Sequence, residues 1–299
     1  MEQNKQPNWK GKSRGGSLGH LYFVFTIKHF GVRMAYLLLL FVVPYFVPFA
    51  PKASKSIWFY NRKILKYSIL KSLIHLLVHY YRFGQTIIDK IAIGAGLHSQ
   101  FQFEFENYPQ FIDLLDSQQG LIMIGAHIGN WEIGGPFFGD YGSKLNIVMF
   151  DAEYQKIKEV IDRNASSKNY KIIALNEEGL ESIIKIKAAL DDKEYVCFQG
   201  DRFMSDKNTL QSTLLGYSAT FPSGPYLLAS RMNVPVVFYF SMREKGCKYR
   251  FHFKIAHPVD KNTAIKREEQ LLEQYIEALE PIILKYPQQW FNFYQFWKT

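Results

Sequence analysis

The sequence predicts an α/β fold: a mixed, mostly parallel central sheet covered by helices, preceded by an N-terminal membrane-associated helical segment. Three observations carry this. From residue 118 onward, short apolar runs alternate with stretches of helical period. One run, 121–126, is apolar throughout, as a strand buried on both faces should be. The charge is also uneven. Residues 1–90 hold 14 Lys/Arg against only Glu2 and Asp89, a net of +12 in a chain whose total is +9, which leaves −3 for the rest.

Residues 1–19 are polar, basic and Gly/Ser-containing, and read as a flexible arm. No apolar core with a cleavage site follows, so no signal peptide is expected and the chain should start in the cytoplasm. Residues 20–95 read as the membrane-associated helical region and 96–299 as the α/β domain. Within the first, 34–51 is an uncharged run of 18 residues, close to the roughly 20 that span a bilayer. Pro44, Pro48 and Pro51 oppose a straight helix there. A membrane-embedded hairpin or tilted anchor is therefore expected ahead of a clean span, with a buried core helix as the alternative.

Residues 52–90 read as helix. Trp58, Leu65, Ile69, Leu73 and Leu76 recur at helical spacing among Arg62, Lys63, Lys66 and Lys71, a pattern suited to an anionic lipid surface. A basic helix can also meet nucleic acid. No helix-turn-helix or RNP-type pattern accompanies this one, and no nucleic-acid partner is expected. His75 and His79 have metal-ligand spacing, but Leu76 stands where a zincin would have Glu, and no metal is expected. Cys197 and Cys247 give no disulfide framework.

Beyond residue 118 the expected strands are 121–126, 145–150, 171–175, 195–198, 234–240 and 249–255. Helical patterns lie at 154–161 and 179–190, and a charged helix runs from about 264 to 286. The chain closes on an aromatic tail, 290–297, which suits a core or a membrane interface.

The chemistry concentrates at Gly125-Ala-His127-Ile-Gly-Asn-Trp-Glu132. His127 follows a buried strand, at the sheet edge where α/β proteins bind ligands. Asn130 can cap a helix and Glu132 would lie in its first turn. The two side chains meet only if the chain turns between them, which Gly129 permits. An imidazole held by a carboxylate is a general base with a fixed tautomer. No Ser or Cys beside it looks like an activated nucleophile. The bland alternatives are a structural His and a Glu that complements a helix dipole.

The string resembles the H-x4-D/E motif of the lysophospholipid acyltransferase superfamily. Its H-x-G-N-W-E form looks like the late acyltransferases of lipid A biosynthesis, which move a fatty acyl chain onto a lipid hydroxyl. That resemblance implies that His127 and Glu132 are catalytic, with His127 the base and Glu132 orienting it. Further segments follow in the superfamily's order. Gln199-Gly-Asp-Arg202 occupies the place of a polar substrate-contacting motif and makes Asp201 and Arg202 substrate-binding candidates. Thr220-Phe-Pro-Ser-Gly-Pro225 stands where glycerol-phosphate enzymes carry F-P-E-G. Ser223 replaces that glutamate, as in the lipid A branch. Val234-Pro-Val-Val237 and the closing P-Q-Q-W also resemble that branch. Arg163 lies where the lipid A enzymes carry a further functional arginine.

The resemblance covers about residues 20–297. It implies a membrane-bound enzyme at the cytoplasmic face of the cell inner membrane, without metal or cofactor. The donor would be an acyl thioester, acyl carrier protein first and acyl-CoA second. The acceptor would be a hydroxyl or amine of a lipid such as a lipid A precursor. Related sequences acylate aryl-polyene or flexirubin-type pigments, or make aminolipids, and those acceptors stay open. The rival from another class is a non-enzymatic membrane-binding protein with the same fold. The intact His/Glu pair counts against it.

Overall fold

The structure is a computed structural model describing residues 16–134, 144–150, 170–175, 180–203 and 208–297. Its strands are β1 (Gln102–Glu106), β2 (Leu121–Gly125), β3 (Leu145–Phe150), β4 (Tyr170–Leu175), β5 (Tyr195–Gln199), β6 (Thr209–Leu214), β7 (Tyr217–Pro222), β8 (Val236–Arg243) and β9 (Lys248–Ile255). Seven form one sheet in the order β1-β9-β8-β2-β5-β3-β4, and β6 and β7 form a separate hairpin. Every neighbouring pair in the large sheet is parallel except β8 and β9. The mixed, mostly parallel sheet is therefore as the sequence predicts.

The helices are α1 (Gly16–Phe49), α2 (Pro51–Phe59), α3 (Ile69–Gly94), α4 (Tyr108–Asp116), α5 (Leu180–Asp191), α6 (Gly224–Ala229) and α7 (Arg267–Lys285). The expected helix at 154–161 lies outside the described residues. Two apolar layers sandwich the sheet, and alternate strand residues feed them. Ile122, Ile124, Val196, Phe198, Phe238 and Phe240 face a core built from α7 and the aromatic tail. Leu121, Met123, Tyr195, Val237 and Tyr239 face a core built from α1, α3 and α4. Each such side chain taken out of water stabilises the fold by roughly 1.5–3 kcal/mol. Trp290, Phe296 and Trp297 are buried, so the tail is core.

The N-terminal region departs from expectation in two places. Pro44 and Pro48 lie inside α1 without ending it, and the break comes at Gly31 instead, at φ 79° and ψ 173°. That backbone conformation strains any residue with a Cβ. Residues 52–90 are not one helix. A π-helical turn, Tyr60–Ile64, follows α2, and Lys66 at φ 54° redirects the chain. Ser68 then caps α3, accepting the Lys71 N–H at 3.3 Å. Tyr22–Phe49 is long and apolar enough to cross a membrane. Its outer face exposes Phe25, Phe30, Leu40, Phe41, Tyr45 and Phe49. The first two turns of α3 expose Ile69, Leu70, Leu73, Ile74 and Leu77.

Three strands were not legible in advance. β1 reads Gln-Phe-Glu-Phe-Glu, a clean alternation but only five residues long. The β6–β7 hairpin is mostly polar on one face and turns at Leu215 and Gly216, both at positive φ.

Candidate active site

Parallel register builds the site. β2 and β5 are neighbours with Gly125 opposite Gln199. Two residues past each strand end, His127 and Asp201 come together at the sheet's carboxyl edge. Nδ1 of His127 lies 2.7 Å from Oδ1 of Asp201. The His127 backbone N–H donates to Oδ2 of the same carboxylate at 3.0 Å, and Trp290 Nε1–H donates to it at 3.2 Å. The carbonyl of His127 accepts the Phe291 N–H at 2.8 Å. Both the ring and its backbone are thus held from two sides.

Asp201 is fully buried, while the His127 side chain is 24% exposed. Burial opposes ionisation of Asp201. The adjacent imidazole, its hydrogen bonds and Arg202 outweigh burial and hold the carboxyl down to about 2. An ionised carboxylate only accepts, so in the neutral ring Nδ1 carries the proton. Nε2 then presents its lone pair, and it has no partner among the described residues. The arrangement is a general base with a fixed tautomer and one open end.

Gly129 turns the chain directly afterwards, at φ 61°. A Cβ there would meet the Ser241 carbonyl oxygen at 2.0 Å, so only glycine fits. Asn130 does not cap a helix. Its Nδ2 donates to the Thr86 carbonyl at 3.2 Å and to the Tyr249 hydroxyl at 3.3 Å. A 3-10 turn, Trp131–Gly134, follows. Glu132, in its first turn, is paired with Lys90 of α3.

Two roles read from the sequence therefore differ in the structure. Asp201, not Glu132, holds the imidazole, because register brings β5 to His127 whereas Gly129 turns Glu132 toward α3. Asp201 is also buried behind the ring rather than presented to a substrate. Arg202 lies beside it, with Nη2 donating to the Phe291 carbonyl at 2.5 Å, and its buried Nε has no partner among the described residues. Arg163 lies outside the described residues.

Sequence reasoning missed the segment that organises these groups. Residues 289–291 give Gly129 a carbonyl, Asp201 an indole N–H and His127 an amide N–H. The signal is P-Q-Q-W, in which the sequence alone shows a likeness but not a role. Among the described residues, no cluster of three or more His, Cys, Asp or Glu is placed to hold a metal. Of the histidines at metal spacing, His75 hydrogen-bonds Gln288 and His79 is buried.

The family model for bacterial lipid A biosynthesis acyltransferases matches residues 79–299. The chain belongs to that family. It is an acyltransferase that acts on lipids, and the matched region contains His127, Glu132, Asp201 and Arg202. Among solved structures, this acyltransferase is similar to the 1-acyl-sn-glycerophosphate (LPA) acyltransferase PlsC from Thermotoga maritima. The identity is 12%, over 79% of this chain and 95% of that one, with a TM-score of 0.36. No curated protein matches the sequence.

Proposed function

We propose that this acyltransferase is membrane-bound and works at the cytoplasmic face of the inner membrane. It moves a fatty acyl chain from an acyl thioester, with acyl carrier protein as donor, to a hydroxyl or amine of a lipid such as a lipid A precursor. The observation that carries the mechanism is the His127–Asp201 hydrogen bond. Nε2 of His127 takes the acceptor proton as the acceptor oxygen or nitrogen attacks the thioester carbonyl carbon. The tetrahedral intermediate then expels the thiolate, and the imidazolium returns the proton to sulfur. Asp201 stabilises the imidazolium in between and keeps the ring in place. Acyl transfer is direct, with no covalent enzyme intermediate.

Glu132 acts from the other side of the Gly129 turn, where its pairing with Lys90 fixes the 3-10 turn against α3. Arg202, with Arg163 as a second candidate, grips an anionic group of donor or acceptor. The outer face of α1 and the apolar start of α3 support membrane attachment, with Lys63, Lys66 and Lys71 beside them. Basic residues near anionic lipid add about 1 kcal/mol each, a term that salt weakens.

The test is transfer of label from acyl carrier protein into extracted lipid by purified wild type and His127→Ala. Label in the lipid fraction with wild type alone supports the reading. Label in a pigment or aminolipid fraction selects those acceptors. Equal transfer by both proteins overturns it. Attachment is checked separately by washing membranes at high salt. Complete release into the soluble fraction would leave only electrostatic adsorption.

A further inference from the structure

A second concave site lies at the same carboxyl edge of the sheet. β8 runs parallel to β2, and Gly129 bridges to Ser241. Two residues farther along β8, at Arg243, a cleft of about 490 Å³ opens between α3, β8 and the end of α7. Arg82, Arg243, Lys245, Lys248 and Lys285 line it, against the single carboxylate of Glu244. Of the segments that carry the family resemblance, only P-Q-Q-W touches it, through Gln288 and Gln289.

These charges are unequally committed. Arg243 is spent on Asp89 at 2.9 Å and on the carbonyls of Glu244 and Gly246. Glu244 is held by Arg250 at 2.7 Å. Lys248 pairs with Glu104 at 2.5 Å, and Lys285 reaches Glu106 only at 3.8 Å. Arg82 and Lys245 have no acidic partner among the described residues. Arg82 donates to the neutral Gln85 side chain at 2.9 Å. Burial, then repulsion from Arg243, disfavours its charged form. Like charges held together in partly desolvated surroundings attract an anion strongly.

The cleft also touches the catalytic apparatus. Gln288 and Gln289 form part of its wall. The Gln289 side chain is clamped to the Arg243 backbone at 2.9 and 2.7 Å, and its carbonyl accepts the Gly129 N–H at 2.8 Å. The next two residues hold Asp201 and His127. One short segment therefore has the cleft on one side and the imidazole on the other. The volume falls in the range of small-molecule sites, roughly 300–1,000 Å³. It admits a phosphate with an organic group attached.

We propose that this cleft binds the phosphate group of a substrate, with Arg82 and Lys245 as its direct contacts. A guanidinium takes two phosphate oxygens in one plane, and the lysine ammonium takes a third. The anion site stands on its own geometry. Only its use by a substrate rests on the acyl-transfer reading.

The experiment is calorimetric titration of the full-length, detergent-solubilised protein with inorganic pyrophosphate at fixed ionic strength. Arg82→Gln/Lys245→Gln should weaken binding by about tenfold or more, since charge-assisted hydrogen bonds are lost. Lys254→Gln/Lys266→Gln, outside the cleft, should leave it unchanged. If the first variant does not fold, Lys245→Gln removes the exposed contact alone and should still weaken binding, by less than the double variant. Equal affinity in the folded cleft variant, or an equal loss in the control, overturns the site. Methyl phosphate and dimethyl phosphate then separate the sources. Preference for the monoester points to a lipid head group, and preference for the diester to the arm of a carrier protein. His127→Ala should bind pyrophosphate as wild type does. Retained binding with no transfer by any form would therefore sink the acyl-transfer reading and leave the anion site standing.

Discussion

Among the described residues two aspartates, Asp89 and Asp201, are completely buried, and they do different things. Asp89, on α3, accepts from Arg243 Nε and from the hydroxyls of Tyr36 and Tyr249. Its partner Arg243 is itself buried, and the remaining guanidinium N–H groups bond to backbone carbonyls. The network ties α1, α3, β8 and β9 together with every charge enclosed. Asp201 accepts three hydrogen bonds as well, but its charged partner is an imidazole that reaches solvent. Burial of a carboxylate therefore does not mark a reactive site. What marks it is a partner with one end left open. The two are also neighbours in the hydrogen-bond network. Tyr249 donates to Asp89 and accepts from Asn130, three residues after His127.

The comparison breaks most visibly through the open end. His127→Ala should lower the turnover rate by about 10²–10⁴, the usual worth of a general base. The protein should stay folded but melt somewhat below wild type, since the buried Asp201 carboxylate loses its imidazole partner. Kinetics of the labelled transfer with a thermal melt on the same sample check both halves. Near-normal turnover would remove His127 from the mechanism.

Asp89→Ala should do the reverse. Removing one partner of a buried ion pair costs about 3–5 kcal/mol, because the remaining charge is stranded. Denaturant unfolding should record that loss, and transfer per folded molecule should fall far less than in His127→Ala. A stable, inactive Asp89→Ala would place that network in the chemistry and erase the contrast.

Asp201→Asn lies between the two. It leaves the shape but can feed the imidazole the wrong tautomer, a change worth about 10⁴ in rate in a Ser-His-Asp triad. Its effect on stability depends on pH. The folded carboxyl titrates near 2, below its ordinary 3.8. Its ionised form therefore stabilises the fold by about 2 kcal/mol above roughly pH 4. That contribution fades as pH falls toward 2. Between those limits wild type should lose stability more steeply than the Asn variant. Parallel curves would mean that the His127 interaction does not stabilise the folded state.

The sheet was largely legible in the sequence, and the partner of the imidazole was not. Apolar runs such as 121–126 announce buried strands because burial on both faces leaves no polar position. Which strand lies beside β2 is another matter. His127 and Asp201 meet across 74 positions through strand order and register, and no local pattern encodes either. The H-x4-E spacing offered a nearby carboxylate instead. Gly129 permits a turn, but a turn alone does not say toward what. Its φ of 61° and its contact with Ser241 send Glu132 to Lys90. Similarly, Pro44 and Pro48 oppose a straight helix, yet α1 runs through both and is interrupted at Gly31 instead. Each removes only one backbone donor, whereas Gly31 can adopt a conformation that ends the helical path outright.

Glu132 provides the next sharpening. It forms an exposed pair with Lys90, and such pairs add at most about 1 kcal/mol to stability. Glu132→Gln should melt as wild type does and lose less turnover than Asp201→Asn. A loss as deep as that of His127→Ala would show that the Glu132 carboxylate meets the reacting groups during turnover, in an arrangement other than its pairing with Lys90.

The smallest effect is expected at Arg202. Its Nη2 holds the carbonyl of Phe291, whose N–H in turn holds the backbone of His127. A lysine can keep one hydrogen bond to that carbonyl, but it cannot reproduce a planar, two-pronged grip on a phosphate. Arg202→Lys should therefore raise KM more than it lowers kcat, because phosphate binding is shared by ground and transition states. Arg202→Ala removes the tether to Phe291 as well, and kcat should then fall too. Steady-state kinetics on variants of matched melting temperature separate the two roles. A fall in kcat with unchanged KM in Arg202→Lys would instead place the guanidinium on the developing oxyanion. Unchanged kinetics in both variants would reduce Arg202 to a brace for the chain end, and the anionic group of the substrate would have to be held elsewhere.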